Sequence, residues 1–442
     1  MNVSRKRIFI NAIKKFGTPI YLYEASQLRS SFFSLRESFP KEVDIFYSLK
    51  ANPNITITDE LRRLGAAAEV CSLIELKTAV QAGHSPENII FVGPAKSKEE
   101  LSLSIELGIY AIVCESFEEV ERIEALAKIY NKPVSIAFRI NPEFESKSAM
   151  LKMGGKPTQF GIDQAEFLSR FSSYVNRKNI ICKGIHIYNG TRILDHGTVI
   201  ENTQNILSFA EMLQQKFKIV FQMVDFGGGL GIAYHEGEPS LDLAALRQGI
   251  SPIISSYLDK FPGTRLILES GRFLVGMSGT FISEIQFIKK SQGENFLVTD
   301  GGTNCHMAAV GIGSFVKRNF PISLLSQVSQ ETRSSEDHEN YENHQTYNIA
   351  GPLCTPGDLI AKKVNLPEAN VGDWVLVHHS GAYGPTASPV LFLSHGYPAE
   401  ALIISEEAYL IRRPDVAGDL LGKQILISRN LNKQIDKLGV LS

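Results

Sequence analysis

Short apolar runs recur through the first 270 residues, and longer segments with helical periodicity separate them. Ser72 precedes LIELKTAVQAG and Ser116 precedes FEEVERIEALAKIY, and serine is a favoured helix N-cap. The runs predict eight strands, at 43–49, 66–70, 88–92, 110–114, 133–140, 180–187, 220–226 and 264–269. Because continuously apolar strands are typical of sheets covered on both faces, the alternation predicts a parallel (β/α)8 barrel of the TIM type. A doubly wound open sheet shows the same alternation and stays an alternative.

The pattern changes after residue 270. Strand-like pieces such as GTFISEIQFIKK, NFLVTD and DWVLVHH alternate with glycine and proline turns, which predicts an all-β domain. The polar stretch 326–345 has almost no aliphatic residues, so we expect a surface loop or insertion there. Polar residues around Leu431 and Ile435 predict a short closing helix.

Composition excludes several classes of protein. The 442 residues are 43% hydrophobic and 21% charged, enough for a sizeable core. With 45 basic and 47 acidic residues the net charge is −2, which offers no basic field for nucleic acid. Five scattered cysteines without Cys-x-x-Cys spacing indicate neither a disulfide framework nor a metal site. The chain has no signal-peptide pattern and no run of about 18 apolar residues, so we expect a cytoplasmic protein without a membrane partner.

Reactive side chains concentrate at the ends of the apolar runs, where a β/α barrel places its active site. They are Lys50, Glu69, Arg139, His186, the glycines Gly227, Gly228 and Gly229, Glu269 and Arg272. One amine, two carboxylates, a histidine, two guanidinium groups and a glycine-rich loop are therefore expected at one rim.

The chemistry of this set points to a phosphate-bearing aldehyde cofactor. A glycine loop lets backbone N–H groups approach an anion, although GGG is also found in ordinary turns. Lys50 is a Schiff-base candidate because desolvation and nearby cations lower the pKa of such an amine, whereas an isolated lysine is usually solvated. Pyridoxal phosphate uses both features, and Glu269 can keep its pyridine nitrogen protonated. His186 can lie against the ring or be an ordinary core histidine.

The motifs YSLKANPN, GIHIYNG, VDFGGGLG, ESGR, GPLCTPGD and GAYG occur in this order along the chain. In this order and spacing they resemble the alanine-racemase-fold (fold type III) pyridoxal phosphate decarboxylases of the ornithine, diaminopimelate and arginine decarboxylase family. The resemblance implies that the early strand in TPIYLYEAS joins the C-terminal β domain. It therefore implies a barrel at 26–270 and a β domain formed by 1–25 and 271–442. It also implies a homodimer with shared active sites.

The resemblance also implies residue roles. Lys50 would be the Schiff-base lysine, His186 would stack on the cofactor ring and Glu269 would pair with the pyridine nitrogen. Gly227, Gly228 and Gly229 would hold the phosphate with help from Arg272 and Tyr383, and Asn189 would hydrogen bond to it. Gly271 would also bind the cofactor, and Arg139 and Glu69 would organise the site. Cys354 would reach the partner subunit's site, where a thiol can protonate the substrate Cα.

Departures from the family pattern concern the substrate, for which Arg272, His306, Cys354 and Thr355 are the candidate contacts. Asn189 stands where family members commonly have serine, and Thr355 where they have glutamate or aspartate. HMAAV from His306 replaces the R-P-A-L-Y segment that clamps the distal carboxylate of diaminopimelate. The segment 300–321 is similar to a branch that includes the decarboxylase of glutamate carried on an acyl-carrier protein.

The expected protein is thus a pyridoxal-phosphate-dependent decarboxylase that removes the α-carboxylate of an amino acid. Its substrate is expected to be a small free amino acid or an aminoacyl carrier protein. The two specific candidates are an L-glutamyl group on such a carrier and free diaminopimelate. An amino-acid racemase is the nearest enzymatic alternative, but racemases of this fold pair the pyridine nitrogen with arginine. A non-catalytic regulatory homologue is the other alternative. It need not keep Lys50, Glu269 and Cys354 together, as this chain does.

Overall fold

The computed structural model describes residues 1–144, 151–152, 157–310, 318–326 and 344–427. Most of the predicted insertion at 326–345 and the helix predicted around Leu431 and Ile435 lie outside these residues. The chain forms two compact units. The barrel unit comprises Glu24–Gly279 with Gly381–Tyr383, and the sheet unit comprises Met1–Tyr23, Thr280–Ser380 and the chain from Gly384 onward.

The described strands follow one another along the chain as β1 (Ile20–Glu24), β2 (Val43–Ser48), β3 (Ala67–Val70), β4 (Ile89–Phe91), β5 (Ala111–Cys114), β6 (Val134–Asn141), β7 (Leu151–Lys152), β8 (Ile162–Asp163), β9 (Ile180–His186), β10 (Gly190–Thr191), β11 (Met223–Asp225), β12 (Arg265–Ser270), β13 (Gly279–Ser291), β14 (Glu294–Thr299), β15 (Ile322–Leu325), β16 (His344–Ala350), β17 (Leu359–Pro367), β18 (Trp374–Val377), β19 (Ala399–Ile404) and β20 (Glu407–Arg412). The described α-helices are α1 (Val3–Phe16), α2 (Ala25–Ser38), α3 (Ile55–Leu64), α4 (Leu73–Gln81), α5 (Lys98–Leu107), α6 (Phe117–Tyr130), α7 (Gln164–Arg170), α8 (Ser172–Val175), α9 (His196–Phe217), α10 (Leu243–Lys260), α11 (Arg272–Val275) and α12 (Ala417–Leu421).

The barrel closes from eight parallel strands. Their spatial order is β5, β4, β3, β2, β12, β11, β9 and β6, and the parallel pairing of β5 with β6 completes the circle. All eight predicted strands are present, and the closed barrel excludes the open doubly wound sheet. The prediction of the fold class is confirmed.

The helices around the barrel begin where the sequence predicts. The Ser72 side chain accepts a hydrogen bond from the backbone N–H of Glu75, and the Ser116 side chain accepts one from Glu119. One position differs from eight regular repeats, because only the four-residue α11 follows β12. Helix α2, which precedes the first barrel strand, contacts α3, α10 and α11 and supplies the missing cover.

The barrel interior follows the two-residue period of its strands. A buried cluster contains Phe46, Ala67, Ile90, Val92, Ala111, Val113, Ala137, Met223 and Ile267. Burial of a large apolar side chain contributes roughly 1.5–3 kcal/mol, so this layer stabilises the closed barrel. Two residues beyond Ala67, Ala137, Met223 and Ile267 come Glu69, Arg139, Asp225 and Glu269. Because side chains at i and i+2 share a face, the polar layer lies directly beyond the apolar one.

The sheet unit is built on a nine-stranded sheet. Strand β1 is hydrogen-bonded between β13 and β19, so the N-terminal strand joins the C-terminal sheet as the resemblance implied. Helix α1 buries Phe9, Ala12 and Ile13 in the same apolar cluster as Ile282 and Leu376. Among the described residues no helix combines the length and apolarity needed to cross a bilayer.

Candidate active site

Lys50 lies on a single 3-10 turn, Leu49–Ala51, directly after β2. Its Nζ donates a hydrogen bond to Glu69 Oε1 at 3.1 Å and lies 5.6 Å from the centroid of the Tyr188 ring. The Lys50 side chain is 38% exposed, whereas the Glu69 side chain is fully buried at the end of the neighbouring strand β3. The amine is thus held by a buried carboxylate while it stays accessible from outside.

The pKa of Lys50 differs from the expectation that burial and cations lower it. Burial is the largest influence and does lower the pKa, but the charges of Glu69 and Glu269 outweigh it and raise the pKa well above the usual lysine value. That expectation is therefore wrong for the chain without a cofactor. Lys50 must lose a proton before it attacks an aldehyde, and its raised pKa opposes that loss in this setting.

Three buried side chains meet at the ends of β9, β11 and β12. His186 Nε2 lies 3.1 Å from Glu269 Oε1. One ring nitrogen of His186 and one carboxylate oxygen each of Glu269 and Asp225 lie within 4.8 Å of one another. The strand register produces this cluster, because Asp225 stands opposite His186 across the β9–β11 pair. Asp225 is not among the residues predicted from the sequence, although its place two residues after the buried Met223 indicates the same inner face.

The two carboxyl groups of this cluster have opposite protonation preferences. Burial raises the pKa of Glu269, but His186, Lys50 and Arg139 outweigh burial and bring this pKa down to about 2. For Asp225, burial and repulsion from Glu269 raise the pKa well above the usual aspartate value. The surroundings therefore favour the charged form of Glu269 and the protonated form of Asp225, the division expected of neighbouring buried carboxyls.

Arg139 is engaged by a buried partner that the sequence analysis missed. Its Nη1 donates to Glu115 Oε1 at 2.9 Å, and its guanidinium carbon lies 4.7 Å from the Phe160 ring centroid. Glu115 Oε2 accepts the backbone N–H of Gly161 at 3.0 Å. Arg139 thus supplies positive charge to Glu269 from a fixed position, as the predicted organising role requires.

Arg272 lies between two tyrosines. Its Nη1 donates to Tyr234 Oη at 2.8 Å, and its guanidinium carbon lies 4.5 Å from the Tyr383 ring centroid. Tyr383 belongs to the barrel unit, where its backbone N–H donates to the carbonyl oxygen of Ala51 at 2.7 Å. The structure thereby brings Tyr383, which is distant in sequence, to Arg272 and the turn of Lys50. Tyr234 was not anticipated.

The glycine loop after β11 is required by close backbone packing. A Cβ on Gly228 would lie 1.7 Å from the carbonyl oxygen of Glu269, and one on Gly229, with φ +84°, would lie 2.0 Å from the carbonyl oxygen of Gly190. A Cβ on Gly227 would lie 2.6 Å from the carbonyl oxygen of Ile187. The glycines therefore set the loop tightly against its neighbours, and the N–H of Gly227 donates to Asp225 Oδ1 at 2.8 Å.

Two further predicted cofactor-binding residues adjoin this loop and the lysine turn. The Asn189 side-chain amide donates to Asn202 Oδ1 at 2.7 Å, and its own Oδ1 is buried without a partner among the described residues. A Cβ on Gly271 would lie 2.8 Å from the Cβ of Ala51, so Gly271 lets β12 approach the turn of Lys50.

Several buried polar atoms at this edge of the barrel have no hydrogen-bond partner among the described residues. They are Glu69 Oε2, His186 Nδ1, Asn189 Oδ1, Asp225 Oδ2 and Arg272 Nε. Buried polar atoms are normally paired, so such a cluster indicates that a polar ligand completes the site. A phosphorylated pyridine aldehyde fits this donor set, with an anionic Glu269 for the ring nitrogen, a lysine for the aldehyde, and Arg272 with the glycine loop for the phosphate.

Cys354 and Thr355 lie in the sheet unit, on a loop whose shape is fixed by Asp358. One Asp358 oxygen accepts the N–H of Leu353 at 2.7 Å, and the other accepts the N–H of Thr303 at 2.7 Å. Cys354 is exposed and Thr355 is half-buried. An exposed thiol on an anchored loop is compatible with the predicted contact to a partner subunit.

His306 differs from its predicted role as a substrate contact. It is fully buried in the sheet unit, where its Nε2 lies 2.9 Å from Ser380 Oγ and its ring packs against Tyr21, Phe281 and Phe320. Burial lowers its pKa to about 3, so the imidazole is neutral. Enclosed in this way, His306 offers no surface to a substrate. The reason is its position between aromatic rings from distant parts of the chain, which the local sequence does not reveal.

A closed parallel barrel with a lysine, an anionic carboxylate, an arginine and a glycine loop at one edge defines a pyridoxal phosphate site. Comparison with known proteins agrees. Residues 25–276 match the family model described as "Pyridoxal-dependent decarboxylase, pyridoxal binding domain". The chain belongs to this family of decarboxylases and is an enzyme that uses pyridoxal phosphate. The predictions of family, enzyme class and cofactor are confirmed.

Similar proteins extend the comparison beyond the barrel. The chain is 36% identical over 419 residues to an L-glutamyl-[BtrI acyl-carrier protein] decarboxylase of Niallia circulans, covering 95% of this chain and 96% of the relative. It is 30% identical to a diaminopimelate decarboxylase of Aquifex aeolicus, covering 90% and 89% of the two chains. The crystal structure of diaminopimelate decarboxylase from M. jannaschii superposes with a TM-score of 0.85 at 28% identity, covering 94% of each chain.

Proposed function

We propose that this chain removes the α-carboxylate from an L-glutamyl group carried on an acyl-carrier protein. The observation that supports the proposal most is the 36% identity, over 95% of the chain, to a decarboxylase named for that substrate. The diaminopimelate decarboxylases are more distant, at 28–30% identity.

The residues present favour a substrate without a free distal charge. A distal ammonium or carboxylate needs an oppositely charged partner for a charge-assisted bond. Thr355 is neutral, and His306 is buried and neutral in the segment that carries the clamp arginine in diaminopimelate decarboxylases. A glutamyl thioester has its distal end tied to a carrier, so it requires no such clamp.

Bound pyridoxal phosphate supplies an aldehyde for the substrate amine and an electron-withdrawing ring for the electrons left when CO2 departs. Lys50 would hold the cofactor aldehyde until the substrate amine replaces it, and would release the product amine. Glu269 would keep the ring nitrogen protonated, as its low pKa allows. Arg272, the glycine loop, Asn189 and Tyr383 would hold the phosphate. A ring nitrogen paired with a carboxylate favours decarboxylation over racemisation, which uses arginine there.

The proton for Cα would come from Cys354 of a second copy, so we propose a homodimer with two shared sites. Mixing Lys50→Ala chains with Cys354→Ala chains, each inactive alone, tests this. Shared sites would restore about a quarter of the wild-type activity, because half of the dimers are mixed and each has one intact site. No restored activity in verified mixed dimers would contradict the shared site. A cytoplasmic location is also proposed, since all five cysteines are free thiols.

A spectral and CO2-release screen tests the substrate. Free L-amino acids, including glutamate and diaminopimelate, and then glutamyl-loaded carrier protein are added to the holoenzyme. We expect a shift of the cofactor absorbance and CO2 release with the loaded carrier alone. Turnover of free diaminopimelate would replace the proposal, and failure to bind cofactor after reconstitution would favour the non-catalytic alternative. CO2 release is measured separately from loss of optical activity, which excludes a racemase.

A further inference from the structure

Cys71, one residue beyond β3, shares a carboxylate oxygen with Lys50. Its Sγ donates to Glu69 Oε1 at 2.9 Å, and Lys50 Nζ donates to the same oxygen at 3.1 Å. The proposed reaction uses Lys50 but assigns nothing to this thiol. The thiol is therefore in direct contact with the carboxylate that binds Lys50 and raises its pKa.

The thiol is a donor and not a nucleophile in this setting. Burial and the charge of Glu69 raise the pKa of Cys71 well above its ordinary value, so the S–H proton is retained. Glu69 is fully buried, and its Oε2 has no partner among the described residues. Within that part of the chain, the side-chain hydrogen bonds to Glu69 come from Lys50 and Cys71.

The backbone at Cys71 is held independently of Glu69. The Cys71 N–H donates to Glu75 Oε2 at 2.7 Å, and the Glu75 N–H donates to Ser72 Oγ at 3.2 Å in the first turn of α4. The start of a helix therefore fixes the direction from which the thiol approaches Glu69. Such an arrangement suits a group whose function is orientation.

We propose that Cys71 is a positioning residue that holds Glu69 Oε1 toward Lys50 and remains its donor when Lys50 is covalently attached to the cofactor. Attachment removes the free ammonium that Glu69 otherwise binds. A buried carboxylate without donors is costly, so the thiol hydrogen bond keeps Glu69 paired and in place. The inference rests on the proposed role of Lys50 and is independent of which substrate is decarboxylated.

A pH titration of the visible absorbance of the holoenzyme tests the inference. Without the thiol in Cys71→Ala, Glu69 Oε1 is no longer held toward Lys50, so its negative charge moves away from the lysine nitrogen and the titration midpoint should fall by roughly 0.5–1 pH unit. Cys71→Ser keeps a hydrogen-bond donor, so its titration midpoint should lie close to that of wild type. Cys182→Ala is the matched control, because Cys182 is also half-buried but lies within β9, and it should leave the midpoint unchanged.

A second measurement does not need the cofactor. In the apoenzyme at a fixed alkaline pH, a small amine-reactive reagent should label Lys50 about three- to tenfold faster in Cys71→Ala than in wild type, since Glu69 is no longer held toward the amine and a larger fraction of the amine is neutral. Mass spectrometry of the Lys50 peptide gives the rate. In a Glu69→Gln background, Cys71→Ala should add no further change, because the shared carboxylate is gone.

The outcomes separate this inference from the proposed function. Unchanged midpoint and labelling rate in Cys71→Ala would overturn the inference. So would a serine variant that behaves like alanine, since packing would then explain the effect, or an equal effect in the Glu69→Gln background. If Lys50 is not the cofactor lysine, the wild-type absorbance will not depend on Lys50, whereas the labelling change still reports the contact with Cys71.

Discussion

Replacing Gly228 with alanine should distort the active site, because the added Cβ collides with the backbone of Glu269. The added Cβ would lie 1.7 Å from the carbonyl oxygen of Glu269, where ordinary contact begins at 3.4 Å. The obstacle is backbone, and β12 is paired in register on both sides, with Glu269 opposite Phe46 of β2. Overpacking in such rigid surroundings costs about 3 kcal/mol or more. A backbone shift above 1 Å at Glu269 should also reduce activity by about 100-fold.

Gly237→Ala is the control for this prediction. Gly237 also lies in the segment after β11 and has φ +77°, but nothing lies within 4 Å of an added Cβ. It should therefore cost only the left-handed backbone penalty of about 1–2 kcal/mol and leave cofactor binding unchanged. Thermal unfolding and absorbance titration with pyridoxal phosphate measure both effects. A Gly228→Ala protein with wild-type stability and cofactor affinity would refute the steric reasoning.

Three other predictions concern single side chains. Lys50→Ala should abolish the visible absorbance of the bound cofactor; a variant that keeps the band and full turnover would contradict the assignment. Asp225→Asn should keep or raise stability at pH 7 in urea unfolding, because burial and Glu269 raise the pKa of Asp225 and so disfavour its charged form; a large loss would show that its charge is needed. The pKa of His306 is about 3 when folded and higher when unfolded, so the unfolded chain binds the proton first and stability falls as pH drops below about 6.5. His306→Gln should lose this dependence, about 1.4 kcal/mol per unit between pH 6 and 4, and an unchanged slope in urea unfolding would contradict the burial argument.

The eight strands were predictable because each has a local signature. Val43–Ser48 and Arg265–Ser270, for example, are mostly apolar runs with a reactive residue close to their end, Lys50 just after the first and Glu269 within the second. The two-residue period then places Glu69 and Glu269 on the inner face with Ala67 and Ile267. Such inferences need only the chain near each residue.

The charge states required the structure. His186 and Glu269 are 83 positions apart in sequence, and their 3.1 Å contact accounts for much of the low pKa of Glu269. The high pKa of Lys50 depends on carboxylates from two other strands. No pattern around Lys50 contains this information, which is why the sequence-based expectation had the wrong sign.

The sequence by itself determined the eight barrel strands, the order of the reactive residues and the family to which they belong. Periodicity, helix caps and motifs each involve residues close together in the chain, so they can be read without a tertiary structure. Only the tertiary structure decided that α2 covers the barrel after β12, that His306 is a core residue, and that Cys71 and Lys50 share one oxygen of Glu69. Those outcomes depend on distances between atoms that are remote in the chain, and electrostatic and packing energies depend on such distances.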